Sequence, residues 1–317
     1  MTRSLTPALL LAFALTASLA AHAQQEGLVP TQALVNVDAK SQPPASASVL
    51  TVAVNDRKGP LTAWEPVAPA NAQVALLIDD GLRESVSREM DNLRDFVRTL
   101  APGVEVLVGY MQYGHVVAEQ SFTTDHALAA STIHLPSGLA GMSASPYICI
   151  SDFVKNWPGT RASSSSSPIT FARHKARFIL MITDGVDPYN GSTSVTNQGS
   201  PYVDAAIADA QRAGVAVYAV YFSDAGLTSD SADNSGQDYL SQITQATGGV
   251  NYWVGIGNPV STAPFLRQFQ SAIAETYIAT FNAPVGHDPV HDLVHVRFSA
   301  TKTKLHAPEK ARPGNVE

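Results

Sequence analysis

The chain has 317 residues, of which 45% are hydrophobic and 15% are charged, and its formal net charge is −7. This composition excludes global disorder, because it supplies enough apolar side chains for a sizeable core. No run of Lys and Arg provides the basic face that a nucleic-acid-binding protein needs, so we expect no nucleic-acid partner. The length suits one large domain or two small ones.

The first 23 residues have the pattern of a secretory signal peptide. Arg3 gives the positive start, PALLLAFALTASLA is the apolar centre, and AHA, ending at Ala23, has the small residues of a cleavage site. The apolar run is short for a membrane span, which needs roughly 20 residues. We predict cleavage before Gln24, export to the periplasm or the medium, and no transmembrane anchor in the mature protein.

Two segments precede the main pattern of the chain. Residues 24–48 contain mostly small and polar side chains and Pro, so we predict a flexible leader. Residues 49–70 are predicted to be an N-terminal β arm and a linker. The arm begins with SVLTVAVNDRKGPL, in which alternating apolar residues and the turn region Asn55–Gly59 are typical of a hairpin.

From Gln73 onward, apolar strands alternate with amphipathic helices. VALLID, VEVLVGYM, RFILMITDG and VAVYAVYF are strand patterns, HVVAEQSF is expected to pair with VEVLVGYM as a hairpin, and APFLRQFQSAIAETYIATF predicts the last long helix. Strands that are apolar on both faces predict a doubly wound α/β domain over residues 71–283, with a mostly parallel sheet between two layers of helices. Residues 284–317 are predicted to form a β tail, which we suggest pairs with the N-terminal arm.

Polar side chains are expected to meet at the carboxyl edge of this sheet. Asp79 and Asp80 follow VALLI, Asp184 follows RFILMIT, and Ser143 lies in a loop just before a helix. Ligands of open α/β sheets bind beyond the carboxyl ends of the strands, where the strand order reverses. Oxygen ligands of this kind suit Mg²⁺, Mn²⁺ or Ca²⁺.

The order strand-Asp, helix, hairpin, hydroxyl loop, strand-TDG and then helix, strand and helix resembles the von Willebrand factor A domain. The resemblance covers about two-thirds of the chain, and FILMITDG carries it most specifically. The flanking β segments make the layout similar to the exported "VWFA-related" proteins of acidobacteria. The resemblance implies a metal-ion-dependent adhesion site, whose ligands are an Asp-x-Ser-x-Ser loop, a Thr and an Asp, and whose open position takes a carboxylate of a partner protein.

Residue by residue, the resemblance assigns Asp79 to the first Asp of this site, Ser143 to the Thr and Asp184 to the third-loop Asp. The two serine positions hold Gly81 and Arg83 instead. Glycine supplies no oxygen ligand, and arginine brings a positive charge that competes with an ion. The sequence therefore predicts a degenerate metal site.

Arg83 is expected to pair with Asp79 or Asp184 through forked hydrogen bonds in place of the ion. We predict that no metal is bound. The alternative is a retained Mg²⁺, Mn²⁺ or Ca²⁺, with Asp80 or Glu84 as replacement ligands. Asp187 and Asn190, in GVDPYNGSTS, are candidate partner contacts in an exposed loop, although Pro188 and a following glycine also fit a simple turn.

The leading functional prediction is an exported, non-enzymatic, adhesion-like module that binds a protein or peptide through its top loops. Arg83 would then bind a partner carboxylate directly. The first alternative is an envelope scaffold that makes its contacts through the flanking β segments. The second is a periplasmic hydrolase, which lacks support because GMSAS around Ser143 is not Gly-x-Ser-x-Gly. The single cysteine, Cys149, is predicted to be a buried core residue.

Overall fold

Continuous apolar segments form the central strands of the molecule. The computed structural model describes residues 27–38, 40–41, 43, 46–138, 145–159, 175–190, 199–223, 230–254, 258–285 and 292–315, without the side chains of residues 83–85, 190 and 230–233. Every residue of Ala176–Thr183 is buried, and so are all but one residue of Ala72–Asp79. Strands buried on both faces need a covering layer on each side.

The strands and helices follow the chain in an order close to the predicted one. The strands are β1 (Leu28–Val37), β2 (Leu50–Val54), β3 (Arg57–Pro60), β4 (Ala63–Pro66), β5 (Ala72–Asp79), β6 (Glu105–Gln112), β7 (His115–Ala118), β8 (Ala176–Thr183), β9 (Val215–Tyr221), β10 (Asn251–Tyr252), β11 (Thr276–Pro284), β12 (Val294–Ala300), β13 (Leu305–His306) and β14 (Lys310–Ala311). The α-helices are α1 (Met90–Arg98), α2 (His126–Ser131), α3 (Pro146–Lys155), α4 (Pro201–Ala213), α5 (Asp230–Ala246) and α6 (Ala263–Ala274). Short 3-10 helices occupy Ala47–Val49, Pro69–Asn71, Asp80–Glu89 and Pro188–Asn190.

The largest sheet has six strands in the order β10-β9-β8-β5-β6-β7. All neighbours are parallel except β6 and β7, which form the predicted antiparallel hairpin. The strand order reverses between β5 and β8, because the chain first adds β6 and β7 on one side of β5 and then adds β8, β9 and β10 on its other side. The doubly wound, mostly parallel sheet predicted from the sequence is confirmed.

Helices cover both faces of this sheet. The apolar side chains of α1, α2 and α6 pack on one face, in a cluster with Val74, Leu76 and Ile78 of β5. Those of α3, α4 and α5 pack on the other face, in a cluster with Ala75 and Leu77. The alternation along β5 follows from the two-residue period of a strand. Cys149 is buried in the second cluster, as predicted.

The flanking β segments form two four-stranded sheets, in the orders β13-β1-β11-β4 and β14-β12-β2-β3. A third apolar cluster packs between them, so together they make a β-sandwich. The suggested pairing of the N-terminal arm with the C-terminal tail is observed, because β2 and β12 are antiparallel neighbours. Asn55 and Asp56, with φ of 46° and 63°, form the two-residue turn between β2 and β3.

The predicted flexible leader is wrong at Leu28–Val37, because these residues form β1 and pair with β11 over nine positions. Leu34 packs in the cluster of the α/β unit, whereas Ala33 and Val35 pack in the core of the sandwich. Composition alone indicated disorder, because the segment has few large side chains. Its stability comes instead from backbone pairing and from burial on both faces.

Two further predictions are corrected by the sandwich. The predicted linker contains β4, in which Trp64 stacks on Tyr277 with ring centroids 4.5 Å apart. The predicted last helix ends at Ala274, and the remainder of that segment is β11. The run TYIATF is rich in β-branched and aromatic residues, which fit a strand better than a helix. The end of the predicted α/β domain therefore lies in an outer sheet.

The predicted signal peptide, residues 1–23, lies outside the described residues. Among the residues that the structure does describe, no helix has the length and apolar character needed to cross a membrane.

Candidate functional site

The two strands at which the sheet order reverses are joined at their carboxyl ends by a side-chain hydrogen bond. Asp79 is the last residue of β5, and Thr183 is the last residue of β8. The Thr183 hydroxyl donates to Oδ2 of Asp79 over 2.6 Å, and Oδ1 of Asp79 accepts from the Gly81 N–H over 2.9 Å. Both linked residues are buried. The bond therefore fixes the first and third loops at the place where such sheets bind ligands.

Asp80 accepts its hydrogen bond from the loop after α2, whereas Asp79 is bonded to Gly81 and Thr183. Oδ1 of Asp80 accepts from the Ser137 N–H over 2.9 Å, and a side chain at Gly138 would have no room beside its carboxyl group. Burial raises the pKa of Tyr110 to about 12, and the charges of Glu119 and Asp80 add to this shift. Asp80 is thus close to the α2 side of the sheet.

The third loop is held by backbone contacts as well as by its carboxylate. Oδ1 of Asp184 accepts from the Val186 N–H over 2.9 Å, which closes a local turn. Gly185 has a φ of 69°, and a Cβ there would lie 2.6 Å from the carbonyl oxygen of Gly236 in α5. The Tyr147 hydroxyl of α3 donates to the Gly185 carbonyl oxygen over 2.8 Å. Packing against α3 and α5 therefore fixes the loop that carries Asp184.

Asp187 is fully buried, at 0% exposure, so its predicted position in an exposed loop is wrong. Its Oδ2 accepts from the Ser200 hydroxyl over 2.6 Å, and its Oδ1 accepts from the Tyr189 N–H over 3.2 Å. Ser200 is also the N-cap of α4. These donors compensate the carboxylate for the loss of water, which explains how an acidic residue can be buried here.

Tyr147 marks the region on which these carboxylates converge. Burial raises the pKa of Tyr147 well above its usual range, and the charges of Asp184, Asp187 and Asp79 add to the shift. The charges of three predicted residues therefore act on one phenol. Sequence reasoning missed Tyr147 itself, because a Tyr in an apolar helix pattern gives no sign of a polar role.

Two other residues of the site had a signal in the sequence. Thr183 belongs to the TDG stretch, although only its aspartate was assigned a role. Ser200 precedes Pro201, and a Ser followed by Pro at the first helical position is a common helix start. The backbone donor of Ser137 had no comparable signal.

Several predicted residues are not described. Ser143 lies outside the described residues, as do the side chains of Arg83, Glu84 and Asn190. The backbone places Arg83 and Glu84 in the 3-10 helix after β5, and it places Asn190 at the end of another. The pairing of Arg83 with a carboxylate stays a prediction.

The described residues supply only part of the oxygen ligand set that a divalent cation needs, and the absence of a bound metal stays a prediction. Mg²⁺ and Ca²⁺ need about six or more oxygen ligands around one point. Both oxygens of Asp79 accept hydrogen bonds, Asp80 and Asp184 each bind a backbone N–H, and Gly81 provides no side-chain oxygen. No group of three or more His, Cys, Asp or Glu side chains within the described ranges is arranged to hold a metal ion.

Large apolar side chains are exposed around the same edge. Tyr113 follows the end of β6, Trp253 follows the end of β10, and Tyr189 lies in the loop after β8. Trp253 is 50% exposed and Tyr189 is 59% exposed. We call the following set the apolar rim: Tyr113, Leu135, Tyr189, Tyr202, Trp253, Val254 and Val260. Tyr189 and Tyr202 contact each other, with ring centroids 6.4 Å apart.

The order of described elements matches the resemblance found in the sequence: a strand that ends in Asp79, a helix, a hairpin, a strand that ends in Thr183–Asp184, and then helix, strand and helix. The one antiparallel neighbour lies where the hairpin was predicted. The central unit has a von Willebrand A-like fold.

Solved structures of this kind are similar to the chain at low identity. A von Willebrand factor type A protein from Catenulispora acidiphila is 12% identical, covers 91% of this chain and 75% of its own, and has a TM-score of 0.42. The SpRpn10 VWA domain is 10% identical, with 64% of this chain and 97% of its own covered and a TM-score of 0.40. The pilus adhesin SpaC from Lactobacillus rhamnosus GG is 11% identical, with 76% and 34% covered and a TM-score of 0.42. No protein-family model matches the chain, and the search of curated proteins found no match.

Proposed function

We propose that this protein is an exported, non-catalytic module that binds a protein partner at the carboxyl edge of its α/β sheet, without a divalent ion. The observation that carries the proposal is the apolar rim. Exposed apolar side chains lie along this edge from Tyr113, beside β6, to Trp253, beside β10. Exposed apolar surface can mark protein interaction sites, and buried aromatic anchors contribute much of the binding free energy in such interfaces. Export is proposed from the signal-peptide pattern of residues 1–23.

The carboxylates behind the apolar rim have a supporting role in this proposal. Asp79, Asp80 and Asp187 are buried and accept hydrogen bonds from the loops that surround them. They fix the backbone of those loops, and a preorganised surface loses less conformational entropy on binding.

Arg83 is proposed as the polar contact at the centre of this surface. This role rests on the sequence, in which an arginine stands where a serine ligand belongs in the related metal site. A guanidinium group binds a partner carboxylate through two parallel hydrogen bonds. In this proposal Arg83 replaces the charge of the ion.

A photo-crosslinking experiment tests the proposed surface. Benzoylphenylalanine replaces Tyr189 on the apolar rim or, as the control, Val49, an exposed apolar residue of the sandwich region. Both proteins are produced in their native host, irradiated and analysed by mass spectrometry. We expect a protein adduct from position 189 that persists in EDTA and is lost in the Trp253→Ser variant.

The other outcomes contradict the proposal in different ways. An adduct only from position 49 would favour a scaffold that acts through its β-sandwich. An adduct from position 189 that EDTA abolishes would show that an ion is needed. No adduct from either position would overturn a protein-binding role for this edge. Melting curves of both proteins verify that each variant is folded.

A further inference from the structure

A cleft lies at the junction of the α/β unit and the β-sandwich. Its volume is about 500 Å³, within the range of roughly 300–1,000 Å³ for small-molecule sites. Arg267, Ser271 and Glu275 line the wall formed by α6. Asp38 and Lys304 line the opposite wall, which belongs to the sandwich. The cleft extends from Glu275, at the C-terminal end of α6, to Tyr252, which directly precedes Trp253 of the apolar rim.

The carboxylate of the sandwich wall already has protein partners. Oδ2 of Asp38 lies 3.4 Å from Nζ of Lys304 and 3.7 Å from Nε2 of His306, and Oδ1 accepts from the Lys40 N–H over 3.0 Å. The Lys40 N–H is the main cause of a lowered pKa of Asp38, and Lys304 contributes to it. Asp38 is therefore matched by charges on its own wall.

The two charged residues on the α6 wall, Arg267 and Glu275, differ from Asp38 in their partners. Within the part of the chain that the structure describes, neither Glu275 nor Arg267 forms an ion pair. Burial raises the pKa of Glu275, and the negative charge of Asp38 adds to the shift. Glu275 also lies at the C-terminal end of α6, where a negative charge is unfavourable and a cation is favourable. A cationic group in the cleft would relieve both effects.

The spacing of these two charges sets the length of a ligand that can reach both. Arg267 and Glu275 are eight positions apart, which corresponds to about 12 Å along a helix axis. An extended peptide rises roughly 3.3–3.6 Å per residue, so three residues with their charged ends span a similar distance. Ser271 lies between the two charges on the same face of α6, because it is four positions from each.

We propose that this cleft binds a short peptide of about three residues with free termini, its ammonium group at Glu275 and its carboxylate at Arg267. Ser271 and Gln268 offer a hydroxyl and an amide to the peptide groups between the two ends. Tyr252 gives the floor an aromatic ring. This proposal is independent of the binding of a protein at the apolar rim.

Calorimetric titration of the mature chain with three related peptides tests the proposal. The probes are trialanine, N-acetyl-trialanine and trialanine amide, so that each blocked peptide lacks one charge. We expect trialanine to bind and each blocked peptide to bind at least about tenfold more weakly, which is about 1.4 kcal/mol. No heat of binding with trialanine up to about 10 mM would overturn the proposal.

Two variants assign the ends of the peptide. In Glu275→Gln the preference for trialanine over its acetylated form should disappear, and in Arg267→Gln the preference over the amide should disappear. Glu65→Gln and Arg98→Gln remove the same charges from exposed positions elsewhere and should change neither preference. Preferences unchanged in the cleft variants would contradict the assignment. The crosslink from position 189 should persist in Glu275→Gln, so failure at one surface is distinguishable from failure at the other.

Discussion

At the scale of single residues, the acidic side chains of the carboxyl edge serve as acceptors that hold the surrounding loops. Asp79 accepts a hydrogen bond from the hydroxyl of Thr183 on the neighbouring strand. Asp80 accepts one from the backbone N–H of Ser137, and Asp187 accepts one from the hydroxyl of Ser200, the N-cap of α4. The positions of Asp79 and Asp184 at strand ends could be predicted, because a polar residue after an apolar run marks the end of a buried strand. Their partners could not, because hydrogen bonds between distant loops leave no local pattern in the sequence.

Replacing Thr183 by Val tests the bond that links the two central strands. The substitution keeps the shape of the side chain but removes the donor to Asp79 and the acceptor of the Gly185 N–H. Because these groups are buried, we expect the free energy of unfolding to fall by about 1–3 kcal/mol. Urea denaturation measures the change.

Thr51→Val is the matched control, since the Thr51 side chain lies on an exposed strand face and water can replace its hydrogen bond. Its effect should stay within about 0.5 kcal/mol. Equal effects of the two substitutions would show that the bond between Asp79 and Thr183 contributes no stability.

Glu275→Gln should stabilise the protein in a pH-dependent manner. The pKa of Glu275 is raised above its ordinary value of 4.5, so the folded state binds the proton more tightly than the unfolded state. Its favourable contribution is present at low pH and is lost as the pH rises through the folded-state pKa. We therefore expect the variant to melt at a higher temperature at about pH 7 and to melt like the parent protein at about pH 4. A lower melting temperature at about pH 7 would be inconsistent with the raised pKa.

At the scale of elements, β1 is the part of the structure that differs most from the sequence-based expectation. It lies in the middle of an outer sheet, between β13 and β11, and it contributes to two apolar clusters. The helices and strands of the α/β unit were predictable because their apolar periodicity is long and regular. The strands β1, β4 and β11 are defined by their pairing partners, which the periodicity of a single segment does not reveal.

Leu34→Ala tests whether β1 is an integral strand. Leu34 is 4% exposed and packs on the α/β unit, so its truncation should lower the free energy of unfolding by about 2–5 kcal/mol. Leu28→Ala in the same strand is the control, because Leu28 is 66% exposed. Its effect should be within about 0.5 kcal/mol. If the segment were a flexible leader, urea denaturation would show small and equal effects.

At the scale of the whole molecule, the two ends of the chain build a sandwich that packs against the α/β unit. Thr51 and Ser299 form a hydrogen bond between the neighbouring strands β2 and β12 of one outer sheet, although 248 positions separate them in the chain. The class of the central fold could be predicted, because it follows from consecutive elements. The pairing of the N-terminal arm with the C-terminal tail was suggested by the sequence, but the complete sandwich was not, because its other sheet depends on the unpredicted pairing of β1 with β11.

The most direct test of the account is calorimetric titration of residues 24–317 with Mg²⁺, Mn²⁺ and Ca²⁺, with melting curves recorded in parallel. An ion that binds the folded state raises its melting temperature by mass action. Because the carboxylates of the edge are engaged by protein donors, we predict no saturable heat and no change in melting temperature for any of the three ions. Saturable binding that Asp184→Ala abolishes would contradict the account and would establish a metal-dependent surface.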